Sequence, residues 1–584
     1  MNDSTHLNDS DQRHNPATQA WQDFLQKNKD VAEQIAPVMR AYNTLMSQLA
    51  QDPQRVIQMQ MDMYKSSLAL WANLAERSMG YEVEPLISPT KEDRRFSHEL
   101  WQSHLLFDFI KQSYLLIGEK VLEHIAETEG VDAKTQEKLA FYTRSYLDAL
   151  SPSNFPLTNP DVLQATVETN GQNLIDGLNN MLSDLQQGRI SMTDYEAFEV
   201  GKNLATTPGQ VVFRNHLFEL IQYQPTTEKV HETPLLIAPP WINRYYILDL
   251  REKNSFIKYV VDQGFQVFLI SWKNPDASYA ETTFEDYIKD GLLQAANTVK
   301  DITNAKSVNA LGYCIGGTML ATALAALAEA KESYFNSATF FTTLMDFSEA
   351  GELGVFIDED QVAALERKMA HTGYLEGREM ASTFSALRSN DLIWSFVVNN
   401  YMLGKQPFPF DILYWNDDPT RLPAAMHSWY LRNFYLENNL IKPGKIEVLG
   451  KKVNLQNINL PVYMVSGIND HITPWESCFS PLTNFKSDDV TFTLSKAGHV
   501  AGVVNPPTPE GKPVKRAFWS GKVTSSESSP SDWLEKQSRQ ADSWWPHYST
   551  WLANKSGELI DAPKKMGNKS YPPLLTAPGT YVHE

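Results

Sequence analysis

Three residues far apart in the chain have the types of a nucleophile, an acid and a base: Cys314, Asp470 and His499. Cys314 stands in Gly312-Tyr313-Cys314-Ile315-Gly316-Gly317, a Gly-x-Cys-x-Gly pattern. Glycines two before and two after the cysteine remove the Cβ atoms that would block a tight strand-to-helix turn. Such a nucleophile elbow lifts the sulfur above the strand ends and frees the Ile315 N–H at a helix start, where a developing oxyanion can bind. A thiol with an ordinary pKa near 8.5 needs a base or an ion-paired thiolate to react quickly at neutral pH. Its acyl adduct is a thioester. Taking an acyl group from another thioester is nearly neutral in energy, and passing it to an alcohol runs downhill. The cysteine therefore suits acyl transfer onto a hydroxyl, with hydrolysis as the outcome if water reaches the adduct. Without partners, the same cysteine reads as a small buried hydrophobe.

The partners belong downstream, because an elbow of this kind is followed by its acid and then its histidine. Leu460 to Ser466 reads as a strand, and the loop after it, Gly467-Ile468-Asn469-Asp470-His471-Ile472-Thr473-Pro474, supplies Asp470 as the acid. Asp346, after an earlier strand, is its competitor; either could instead be a turn or cap residue. The next strand, Val490 to Leu494, leads to Ser495-Lys496-Ala497-Gly498-His499. Of thirteen histidines, His499 alone follows the final predicted strand directly, where the base belongs. His471 either braces Asp470 or takes part beside it. Cys478 lacks a glycine elbow and reads as structural. A second oxyanion donor is expected from the backbone of Trp241, Ile242 or Asn243, which follow the short strand Pro234 to Ala238.

Alternating strands and helices must position these groups. Val211 to Gln222, Pro234 to Ala238, Phe265 to Trp272, the strand before Cys314 and Ala338 to Met345 read as strands, with an amphipathic helix from about Thr283 to Asp301. This βαβ order predicts an α/β class protein with a mostly parallel sheet, an α/β-hydrolase fold. Between Asp346 and Leu460 the order breaks into helical pieces and aromatic clusters, which predicts a cap or lid inserted at about 347–440. Before the sheet, apolar residues recur at three- and four-residue steps from Thr18 to about Glu127, and a helix is expected from Asp161 to about Gln187 after the proline-rich connector 151–160. The expected organisation is a disordered stretch 1–16, a helical domain 17–195 and a catalytic domain 196–584. The Met-rich stretch Met59 to Met63 is either packing or an apolar contact surface.

Bulk properties narrow the class. The chain has 584 residues, 42% of them hydrophobic, which suits two domains and a substantial core. Two cysteines make a disulfide framework unexpected and point to a reducing compartment. A net charge of -19 disfavours generic nucleic-acid binding, and an anionic substrate would need a local cationic patch. Neither a secretory leader nor a membrane-spanning run is read, so a cytoplasmic location is expected.

Together, Gly312 to Gly317, the run Pro239-Pro240-Trp241-Ile242-Asn243-Arg244-Tyr245-Tyr246-Ile247-Leu248-Asp249-Leu250, Tyr414-Trp415-Asn416, Asp470-His471 and Gly498 to Pro507 closely resemble polyhydroxyalkanoate synthases, from about Ser97 to the mid-500s. The length and the Tyr-Cys-Ile-Gly-Gly form look like the single-subunit class I type. The resemblance implies that Cys314 holds a growing polyester as a thioester, that His499 activates thiol and hydroxyl, and that Asp470 supports hydroxyl activation. The implied substrate is an (R)-3-hydroxyacyl-CoA, foremost 3-hydroxybutyryl-CoA, with CoA released and neither metal nor cofactor needed. A homodimer on cytoplasmic polyester granules is also implied, with granule-associated proteins as further partners. Arg388 on the cap is a candidate contact for the CoA phosphates, and His471 another substrate contact. The rivals are a Cys-triad polyester depolymerase or esterase and, in another class, a non-catalytic granule-coating protein.

Overall fold

Helices fill the described chain up to Gln187, and the first strand of the main sheet begins at Gly209. The structure is a computed structural model that describes residues 36–91, 93–524 and 529–584. The stretch expected to be disordered, 1–16, and the first part of the helical spacing lie outside the described residues. Helix α1 (Pro53–Ser78) starts with Pro53 in its first turn, and the Asp52 carboxylate accepts the Arg55 N–H at 3.0 Å. It packs on α2 (Leu105–Ala126) through Trp71 and Phe109, whose ring centroids are 4.7 Å apart. Met59 and Met63 are half-buried on α1, and Met61 is exposed. After α3 (Ala133–Ala149), the expected single helix over 161–187 is two helices, α4 (Pro160–Glu168) and α5 (Gln172–Gln187). Asn170 and Gly171 between them have φ of 51° and 84°, which a continuous right-handed helix cannot contain.

The main sheet has eleven strands. In chain order they are β1 (Gly209–Arg214), β2 (Phe218–Tyr223), β3 (Leu235–Ala238), β4 (Val267–Trp272), β5 (Val308–Tyr313), β6 (Phe335–Phe341), β7 (Val462–Gly467), β8 (Val490–Ser495), β9 (Ala517–Lys522), β10 (Gln540–Ala541) and β11 (Leu575–Thr576). They lie in the order β10-β9-β8-β7-β6-β5-β3-β4-β2-β1-β11. The centre, from β4 to β8, is parallel, and antiparallel strands close both edges. Nearly all residues of the central strands are buried, as expected where helices cover both faces. The fold is that of an α/β-hydrolase preceded by helices. Its catalytic groups belong at the carboxyl ends of adjacent parallel strands. β6 ends earlier than expected, at Phe341, and Thr342 turns the chain with φ 41°. β8 is not the last strand, because β9 returns antiparallel to it.

Between β6 and β7 lies the insertion, with α7 (Glu359–Thr372), α8 (Gly377–Leu387) and α9 (Ala424–Tyr430) separated by irregular and π-helical turns. Most of its aromatic residues are used as core: Phe347 stacks on Phe434 at 5.5 Å and Phe284 on Trp429 at 5.1 Å. The N-terminal helices grip this insertion. Lys138 on α3 pairs with Asp358 and donates to Gln361 at 3.2 Å. Phe141 and Tyr142 pack edge-on against Phe356 at 5.2 and 6.1 Å. On α5, Asp184 accepts the Tyr401 hydroxyl at 2.7 Å, and Asn173 donates to the Met402 carbonyl at 2.8 Å.

Candidate active site

The chain leaves β5 at Tyr313, turns at Cys314 with φ 53° and ψ −124°, and enters helix α6 (Ile315–Ala330). A positive φ at a residue with a side chain is strained by about 1–3 kcal/mol and persists only where its surroundings enforce it. They do so here: the Cys314 N–H donates to the Phe341 carbonyl of β6 at 2.9 Å, and the Cys314 carbonyl accepts from Gly317 N–H at 2.9 Å. The glycines are required for space. A Cβ on Gly312 would stand 2.8 Å from the Gly317 nitrogen, and one on Gly316 would press on the Ala238 and Pro239 carbonyls at the end of β3. Ile315 opens α6, so its N–H is one of the four that a helix leaves without an internal acceptor.

His499 begins the short helix α10 (His499–Val503) beyond β8, and Asp470 lies beyond β7. The Asp470 Oδ2 is 2.8 Å from His499 Nδ1, and the Cys314 sulfur is near enough to His499 to act on its charge. Asp470 Oδ1 accepts the N–H groups of Ile472 and Thr473, both at 2.9 Å, and Oδ2 accepts the Thr473 hydroxyl at 2.7 Å. Burial works against charge on His499, but the Asp470 carboxylate and the Cys314 sulfur outweigh it and raise its pKa to about 10. Asp470 is buried, which alone would raise its carboxyl, yet His499 and the loop donors hold it below the usual range. Asp346 is elsewhere: it accepts from Ser348 N–H at 3.0 Å and from Asn438 at 2.7 Å. The bracing considered for His471 is done by Ile472 and Thr473 instead. The His471 ring is largely buried with its Nδ1 unpartnered, and burial foremost lowers its pKa to about 4. Cys478 is fully buried, its Sγ 3.7 Å from the Thr473 carbonyl, and burial raises its thiol pKa.

The loop after β3 faces the elbow. Of its three candidate donors, Ile242 lines the same cavity as Cys314 and Ile315. Trp241 is buried with its ring 4.5 Å from that of Tyr287, and the Asn243 side chain donates to the Trp415 and Asn416 carbonyls, both at 3.4 Å. Trp415 in turn donates through Nε1 to the Arg244 carbonyl at 2.6 Å, Tyr246 donates to Asp418 at 2.8 Å, and Thr420 N–H donates to the Ile242 carbonyl at 2.9 Å. The two sequence runs around Trp241 and Trp415 are thus the halves of one clasp. It ties the cap to the loop beside the nucleophile.

Cys314 opens into a cavity of about 840 Å³ with mainly apolar walls from the cap, including Leu353, Phe356, Leu365, Phe384 and Leu431. Tyr142, from the N-terminal helix α3, is part of its wall. Tyr430 and Tyr435 also line it, close enough for the Cys314 sulfur to help raise their pKa values after burial has done so. A second cavity, about 1640 Å³, runs between the helical domain and the cap and is lined by Lys91, Arg94, Arg388, Asn469 and His471 among others. Arg388 is half-exposed there and paired with Asp391. Thr473, Tyr142 and the cap tyrosines were not read from sequence. Only Thr473 had a local signal, a hydroxyl three residues after an aspartate, the spacing of an Asx-type turn.

With this geometry in view, residues 92–260 match the family described as Poly-beta-hydroxybutyrate polymerase (PhaC) N-terminus, and residues 241–506 match the alpha/beta hydrolase fold family. A poly(3-hydroxyalkanoate) polymerase of Methylorubrum extorquens is 44% identical over 559 residues, 95% of this chain and 91% of its own. The poly(3-hydroxyalkanoate) polymerase subunit PhaC of Rhizobium meliloti is 40% identical over 576 residues, 97% and 92% of the two chains. The subunit of that name from Cupriavidus necator is 43% identical over 523 residues, 89% and 86%.

Proposed function

The chain belongs to the poly(3-hydroxyalkanoate) polymerase family and is an acyltransferase that makes polyhydroxyalkanoate, and we propose that it does so with Cys314 as the covalent carrier, His499 as the base and Asp470 as its support. The observation that carries this reading is Asp470 hydrogen-bonded to His499, with His499 beside the Cys314 sulfur and Cys314 lining a cavity of about 840 Å³.

His499, charged at neutral pH, holds the proton of Cys314 as the sulfur attacks the thioester carbonyl of an (R)-3-hydroxyacyl-CoA. The oxyanion forms against Ile315 N–H and the Ile242 backbone. As the C–S bond to CoA breaks, His499 returns the proton to the departing CoA sulfur, and the acyl group stays on Cys314. His499 then takes the proton of the hydroxyl of the next hydroxyacyl-CoA, whose oxygen attacks the Cys314 thioester, and Cys314 leaves with that proton. The lengthened chain, still a CoA thioester, is recaptured by Cys314 with loss of CoA. One cysteine serves both steps. CoA enters as part of the substrate and leaves as product, so this chemistry needs no metal or separate cofactor.

The second cavity, walled by Arg388, Lys91 and Arg94 and by His471 and Asn469 of the acid loop, supports a reading in which Arg388 and His471 meet the CoA portion. 3-Hydroxybutyryl-CoA is the proposed main substrate, and the assembly a homodimer on cytoplasmic granules of its own polyester. Among the described residues, no helix is long and apolar enough to cross a membrane.

The test is to mix the protein with labelled (R)-3-hydroxybutyryl-CoA, quench, and locate the label by peptide mass. Label on Cys314 with polymer formed is expected in the wild type, and neither in Cys314→Ala. Stoichiometric free 3-hydroxybutyrate without polymer would overturn the polymerising role of this site.

A further inference from the structure

His427 is a buried polar group with no task in the chemistry above. It is on α9, 4% exposed, and lines the Cys314 cavity with Tyr430 and Leu431, three and four residues further along the chain. Its Nδ1 is sealed and has no hydrogen-bond partner, which leaves Nε2 as the nitrogen that can meet a ligand. Burial alone lowers its pKa to about 4, so the ring is neutral at neutral pH, with one N–H donor and one acceptor. Buried polar groups are nearly always satisfied, and an unsatisfied one calls for a reason. Three threonines of the same wall are already committed: Thr318 donates to the Leu344 carbonyl at 2.8 Å, Thr383 to the Glu379 carbonyl at 2.9 Å, and Thr473 to Asp470. His427 is a buried imidazole in a largely apolar chamber, whereas His371 on the same lining is exposed.

A polyester chain in that chamber carries evenly spaced carbonyl oxygens and no hydrogen-bond donors along its length. We propose that His427 donates a hydrogen bond to a carbonyl oxygen of the chain held in the Cys314 cavity and so reads the backbone spacing of the hydroxyacyl unit. The inference rests on the proposed role of Cys314. A donor at one fixed depth matches a carbonyl for one repeat length and misses it when the repeat grows by one backbone atom, as it does from a 3-hydroxyacyl to a 4-hydroxyacyl unit. A site built to hydrogen-bond a substrate group discriminates more sharply than an apolar wall, because a mismatched chain leaves that group unpaired.

The experiment compares wild type, His427→Leu and His427→Gln by thermal unfolding and by kcat and KM with (R)-3-hydroxybutyryl-CoA and 4-hydroxybutyryl-CoA. His427→Leu should melt at or above the wild-type temperature, because it removes an unpaired buried polar group. Its kcat/KM for the 3-hydroxy substrate should fall about tenfold, the scale of one hydrogen bond of ordinary strength. The ratio of 3-hydroxy to 4-hydroxy rates should fall several-fold, and His427→Gln, which keeps an N–H donor, should recover most of both. Unchanged kinetics in His427→Leu would overturn the assignment, as would a loss that follows the melting temperature and is not restored by glutamine. Labelling of Cys314 is measured first in the wild type. Its absence would overturn the reading of the site itself, whereas labelled Cys314 with an insensitive His427→Leu sinks this inference alone.

Discussion

Replacing Asp470 by asparagine should separate the two halves of the reaction. Asp470 Oδ1 accepts two backbone N–H groups, from Ile472 and Thr473, so an asparagine at this position is bound to keep its carbonyl oxygen there. Its NH2 then replaces Oδ2 and points at His499 Nδ1, 2.8 Å away. An N–H donor facing Nδ1 favours the tautomer with the proton on the nitrogen facing Cys314, the wrong one for a base; the same change in a serine triad lowers kcat about 10⁴-fold. The two nucleophiles differ in how far they depend on that base. At pH 7 a thiol of pKa about 8.5 is only about 1.5 pK units from ionised, or ~2 kcal/mol. A hydroxyl with a pKa as high as water's 15.7 is about 9 units away, or ~12 kcal/mol. Acylation of Cys314 should therefore fall by about 10- to 30-fold, and elongation by about 10³-fold or more. Rapid quench with labelled (R)-3-hydroxybutyryl-CoA reads the first step as label on Cys314 and the second as steady CoA release with polymer. Equal losses in the two steps would refute the argument.

The same variant carries a pH signature. His499 is raised to about 10, so its share of stability is complete below its unfolded value near 6.5 and is lost as pH rises toward 10. Asp470 is lowered, so its share is present above about 3.9 and is lost as pH falls through its folded value. The stability gap between wild type and Asp470→Asn should be widest from about pH 4 to 6.5 and should narrow above that. Denaturant unfolding at stepped pH measures it; a gap that widens above pH 7 contradicts the ion pair.

Two further changes probe the frame. Gly316→Ala places a Cβ 2.8 Å from the Pro239 carbonyl oxygen, against backbone that cannot step aside, so it should lower stability by about 1–3 kcal/mol and label Cys314 poorly; a normal melting curve with full labelling would show that the elbow tolerates the shift. Tyr142→Ala should enlarge the cavity from the side of the N-terminal helices and raise the relative rate with 3-hydroxyhexanoyl-CoA, with Tyr142→Phe near wild type; an unchanged ratio would remove Tyr142 from the acyl wall.

The elbow, the order of acid and histidine and the parallel sheet were legible because each rests on a local demand. Only glycine fits where a strand turns into a helix against a neighbouring strand, and buried parallel strands must be apolar throughout. The break at Asn170-Gly171 was equally local, yet helical spacing on both sides hid it, since periodicity cannot report the sign of one φ.

Contacts between distant segments were not legible in this way. Asp470 and Asp346 both follow strands, and what separates them is that the β7 and β8 ends are neighbours, so that only Asp470 reaches His499. The runs around Trp241 and Trp415 are recognisable in sequence, but their union into a clasp is not. Tyr142 and His427 look like ordinary helix residues until α3 and α9 are laid around one cavity. Sequence by itself determined the candidate nucleophile, acid and base and the turn that presents the sulfur, because residue type sets intrinsic chemistry and backbone freedom. The tertiary structure decided which carboxylate meets the histidine, what walls the cavity and which buried polar groups are left without a partner, because burial and pairing depend on segments hundreds of residues apart meeting in space.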